Sequence, residues 1–77
     1  MLTFEEFMDK KRIILAKPLA TYIFQKNCNN SWTIFEIAND IECNDFHCTM
    51  YGDVGAYNFY KIRMESFGFK QFNMIIE

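Results

Sequence analysis

Residues 12–26 read Arg-Ile-Ile-Leu-Ala-Lys-Pro-Leu-Ala-Thr-Tyr-Ile-Phe-Gln-Lys, and how this stretch is taken decides the fold. It fits a helical reading. Phe4, Phe7, Met8, Lys11, Ile14 and Leu15 fall at helical spacing, and Thr3 with Glu6 is placed as a capping box at the start. Pro18 ends that helix, because the residue before a proline avoids helical geometry. The same proline suits the first position of a second helix, in which Leu19, Tyr22, Ile23 and Lys26 continue the spacing. The N-terminal part is thus expected to be a helical pair, or one helix kinked at Pro18.

Working outward, Asn27 to Ser31 is a loop, dense in residues that bond their own backbone. Thr33 to Ile41 is expected as a short helix, capped by Thr33 and Glu36, with Trp32 stapled onto it. Phe46 to Tyr51 has strand-forming residue types. Gly52-Asp53 breaks that strand and Asp53 caps the next helix, Ala56 to Phe67, with Tyr57, Tyr60 and Met64 on one side. Gly68 closes it, and Phe69 to Ile76 reads as a final strand. The expected fold class is α+β, one domain over residues 1–77: a helical pair, a short helix, then strand–helix–strand in a winged-helix-like arrangement. The two strands are expected to pair with each other.

Of 77 residues, 51% are hydrophobic and 18% aromatic, which excludes intrinsic disorder. Three Gly and one Pro exclude collagen or linker character. Nine Phe, four Tyr and one Trp provide a core without a disulfide or metal staple. Rings in surplus of that core mark an interface, and a homodimer is one form it takes. Cys28, Cys43 and Cys48 cannot all pair within one chain, and the N-terminus Met1 to Glu6 lacks a basic-then-apolar signal pattern. The unbroken aliphatic run Ile13 to Ala16 is far too short for a membrane span, so a reducing cytoplasm is expected.

His47 is the single histidine. Cys43, His47 and Cys48, with Cys28, have a superficial likeness to a zinc set. Adjacent residues of a strand point to opposite faces, however, and no metal is expected there. No thiol–imidazole pair, serine elbow, calcium loop or phosphate loop survives inspection of spacing, so neither catalysis nor a cofactor is expected.

Thr33-Ile34-Phe35-Glu36-Ile37-Ala38 resembles the second helix of helix-turn-helix and winged-helix DNA-binding domains, with Glu42 standing where that family's turn glycine falls. The resemblance implies that Ala56 to Phe67 is a reading helix whose Asn58, Lys61 and Arg63 contact DNA. The charge pattern points elsewhere. The total of −2 hides a segment, residues 27–53, that carries Glu36, Asp40, Glu42, Asp45 and Asp53 and no Lys or Arg. The favoured expectation is therefore a small non-enzymatic regulator or inhibitor, of the kind found among phage and mobile-element accessory proteins. Its acidic 36–53 face docks on a basic surface of another protein, such as one that binds nucleic acid. Trp32 and Tyr51 serve as exposed aromatic anchors beside Glu36, Asp40, Glu42, Asp45 and Asp53. Direct DNA binding is the alternative.

Overall fold

The computed structural model of the chain describes residues 1–18, 20–38, 46–67 and 73–77. A short helix α1 (Phe4–Met8) precedes strands β1 (Arg12–Lys17), β2 (Ala20–Lys26), β3 (Ser31–Ala38) and β4 (Phe46–Gly52). Helix α2 (Asp53–Phe67) and strand β5 (Asn73–Ile76) follow. The strands form one antiparallel sheet in the order β4-β3-β2-β1-β5.

This overturns the helical pair and the short helix. Arg12–Lys17 and Ala20–Lys26 are hairpin strands, and Thr33–Ala38 is the body of β3, so the winged-helix-like arrangement falls. The reason is visible in the side chains. A strand that is apolar on one face alternates, but these three are apolar on both, and a run without alternation also satisfies helical spacing. In β1, Ile13 and Leu15 face the core while Ile14 lies on the other side. In β2 the same division separates Tyr22 and Phe24 from Ile23. The residue types decide the matter, since β-branched and aromatic side chains pack well on a pleated surface and lose rotamer freedom in a helix. Pro18 is a turn residue and not a helix boundary. Lys17 pairs with Ala20, and the ring's fixed φ suits the second place of the reversal between them.

Other local expectations hold. The Thr3–Glu6 capping box is formed, with both reciprocal bonds present. Between β2 and β3, the Asn27 amide donates to Ser31 Oγ at 3.2 Å and Thr33 Oγ1 at 3.0 Å, while Asn30 takes φ 57°. Asparagine tolerates that left-handed geometry better than most residues. β4 and α2 lie where strand and helix were expected, although α2 begins earlier, at Asp53. β4 and β5 do not pair. They occupy opposite edges of the sheet.

Both helices lie on the same face of the sheet. The core there is ring upon ring: Phe7 stands 4.5 Å from Trp32, 5.2 Å from Tyr60 and 6.0 Å from Phe24. All four rings are fully buried, together with Ile13, Leu15, Ile34 and Met64. Trp32 is therefore no exposed anchor, which corrects the sequence reading. Its indole Nε1 donates to Asp53 Oδ1 at 3.0 Å, tying β3 to the first turn of α2. Burying a Trp is stable when its N–H finds such a partner. The Lys26 ammonium binds the Met8 carbonyl at the end of α1 and lies 5.8 Å from the Trp32 ring. The Leu2 backbone is held on both sides: its N–H donates to Tyr60 Oη, and Tyr57 Oη donates to its carbonyl, each at 2.9 Å. Among the described residues no helix is long and apolar enough to cross a membrane.

Two measurements test this account. Phe7→Ala removes the ring shared by four aromatic neighbours and is expected to cost about 3–5 kcal/mol in urea unfolding. For a chain of this length that is a large share of a total near 5–10 kcal/mol. The second concerns pH. Burial raises the Tyr60 hydroxyl above its ordinary value of 10.0, against a smaller opposing effect of the Leu2 N–H. The folded state thus holds the phenolic proton more tightly than the unfolded state. Its stability contribution is complete below about pH 10 and is lost as pH rises beyond it. Tyr60→Phe is expected to show a shallower loss of stability than the parent chain between about pH 9 and pH 11.

Candidate functional site

The residues named from sequence separate once placed. Asp40, Glu42 and Asp45, like Cys43, lie outside the described residues. Asp53 is occupied by the Trp32 indole. Tyr51 is half-buried and packs its ring 5.7 Å from Phe59. Gly55 makes room for it, since a Cβ there would come within 3.3 Å of the Tyr51 ring. Asn58 and Lys61 are exposed on α2, while the helix-turn-helix arrangement in which they were read is absent because Thr33–Ala38 is a strand.

Glu36 and Arg63, named for opposite partners, meet each other. Glu36 lies on the helix-covered face of β3, and Arg63 NH2 stands 3.9 Å from its Oε2. The guanidinium also lies over two rings, at 4.7 Å from the centroid of Phe59 and 5.4 Å from that of Tyr22. The Arg63 Nε is buried without a hydrogen-bond partner. Stacking and stem packing, more than the ion pair, therefore hold this side chain. Beside it opens a cavity of about 220 Å³ lined by Ala20, Tyr22, Glu36, Ile37, Ala38 and His47. His47 sits directly across from Glu36 in the β3–β4 ladder. That volume is below the several hundred Å³ usual for small-molecule sites, and its lining residues include no Ser, Thr, Cys or Lys. Among the described residues no group of three His, Cys, Asp or Glu side chains gathers to hold a metal; Cys28 and Cys48 are free and exposed.

The larger feature is the sheet face turned away from both helices. Register and alternation place Ile14, Ile23, Ile37, Met50 and Ile75 there, with Cys48 among them. Met50 is 64% exposed and Ile75 53%, while Ile14, Ile23 and Ile37 are half-buried by their lateral neighbours. Among the described residues, charge on this face is confined to one end, where Arg12 pairs with Glu77 at 2.9 Å. The sequence reading missed this face, although its signal was present as apolar residues at both odd and even positions of 12–17 and 20–26.

The Glu36–Arg63 account predicts unequal costs. Glu36→Gln removes a long, partly exposed ion pair and is expected to cost under about 1 kcal/mol. Arg63→Ala also strips the cover from Tyr22 and Phe59, and is expected to cost about 1–2 kcal/mol. Urea unfolding of both variants and the double variant measures the coupling between them, expected to be the smaller part. No protein-family model, curated protein or solved structure matches this chain.

Proposed function

We propose that this chain is a binding protein without catalytic chemistry of its own, a regulator that docks another protein on the open face of its sheet. The observation that carries this is the uncharged apolar centre of that face, with exposed Met50 and Ile75 toward its two sides. Exposed apolar surface on a small chain is costly to keep and usually marks an interaction site. The chemistry of the face favours a protein surface over nucleic acid. Nucleic-acid affinity rests on cations set against phosphates, and the cation among the described residues of this face, Arg12, is engaged by Glu77. This reading takes the open face rather than the acidic 36–53 segment, of which Glu36 and Asp53 have partners inside the fold and Asp40, Glu42 and Asp45 lie outside the described residues.

The test begins with a partner retained from the native host, identified by mass spectrometry and then purified. Ile23→Asp and Ile75→Asp are expected to weaken its binding by roughly 30-fold or more in calorimetry, the scale of an interface hot spot. Asn58→Ala, on the other side of the molecule, is expected to leave it unchanged. Circular dichroism and thermal unfolding confirm that the variants fold. Partner binding that is indifferent to both Asp substitutions overturns the proposal.

A further inference from the structure

The two edges of the sheet are finished differently. At one edge, β5 is four residues long and ends in a charged tip. There the Arg12 guanidinium holds the Glu77 carboxylate, while the Glu77 carbonyl accepts from the Lys11 and Arg12 N–H groups. A short edge strand with charges beside it resists pairing with another chain. At the other edge, β4 is seven residues long, Phe-His-Cys-Thr-Met-Tyr-Gly, without a Lys, Arg, Asp, Glu or Pro. Residues 47–50 are all exposed, and among the described residues no strand lies beyond it. None of the usual devices that protect an edge is present in β4.

We propose that β4 pairs antiparallel with β4 of a second copy of this chain, about a two-fold axis through Thr49, and joins two sheets into one of ten strands. Symmetry and length select this register. Phe46–Gly52 overlaps completely with its own reverse only when Thr49 faces Thr49. A central Thr–Thr pair is favourable across antiparallel strands. Met50 of one copy then stands beside Cys48 of the other, and His47 beside Tyr51. The exposed Met50 side chain gains an apolar neighbour, and within Phe46–Gly52 no like charges are set against each other. A second copy fits this edge better than a charged peptide, because nothing on β4 offers a charge to recognise. The axis stands perpendicular to the sheet, so both α2 helices fall on one side and the two open faces become continuous. A ladder of about 24 Å buries less than the roughly 1,200 Å² of a standard stable interface. The dimer is therefore in reversible equilibrium with the monomer. This inference does not depend on the partner proposed for the open face.

Sedimentation of the full chain from about 1 µM to about 1 mM spans the affinities of such a contact. The expected result is a mass rising from 9.2 kDa toward twice that value. Thr49→Lys is expected to stay monomeric throughout, with unchanged circular dichroism and thermal unfolding. In a chain with Cys28, Cys43 and Cys48 replaced by Ser, Thr49→Cys is expected to form a disulfide-linked dimer on mild oxidation, and Ile75→Cys is not. The cross-linking arm decides the question even if Thr49→Lys fails to fold. A parent chain that is monomeric at about 1 mM overturns the proposal. So does cross-linking as ready through Ile75→Cys as through Thr49→Cys. A dimer that survives Thr49→Lys but is lost on Ile23→Asp also overturns it, since the contact then lies on the open face.

Discussion

The indole of Trp32 is the point at which the separate parts of this chain are joined. It belongs to β3, lies 4.5 Å from the Phe7 ring of α1, and donates its N–H to Asp53 at the start of α2. A five-residue helix such as α1 has no stability of its own, since helix nucleation costs more than so few bonds return. It exists because Phe7 is inserted among Trp32, Tyr60 and Phe24, and because Lys26 reaches the carbonyl at its end. Without the indole, the sheet would lose the surface on which both helices rest.

The charges follow the same economy. A sequence with a −2 total and a segmental pattern invites a search for an outside partner, yet several of its ionic groups are engaged by others of the same chain. Glu36 faces Arg63, Arg12 faces Glu77, and Asp53 accepts from Trp32. Beside exposed charges such as Glu5, Lys61 and Glu65, the described surface carries an apolar sheet face and a sheet edge without charge.

How legible this was depended on the element. The Thr3–Glu6 cap, the Asn27–Ser31 loop, β4 and α2 each carry a local signature, and local chemistry settled them. β1, β2 and β3 carry none, because the open face supplies Ile14, Ile23 and Ile37 at the positions where polar residues would have revealed alternation. The feature that makes the sheet a candidate binding surface is the one that disguised it as helix. The site was less legible still. Glu36 and Arg63 are both visible as charged residues, but their meeting depends on α2 crossing β3, which no spacing along the chain encodes. Trp32 stood out as a large ring beside a polar loop; that it is buried follows from Phe7, far away in sequence.

The grip of Tyr57 and Tyr60 on Leu2 uses only main-chain atoms of that residue. Almost any amino acid but proline presents the same N–H and C=O, so this anchorage places little constraint on which letter is written at position 2. What constrains position 2 is instead the packing of its side chain against the core, while the mechanical joint itself rests on the two tyrosines.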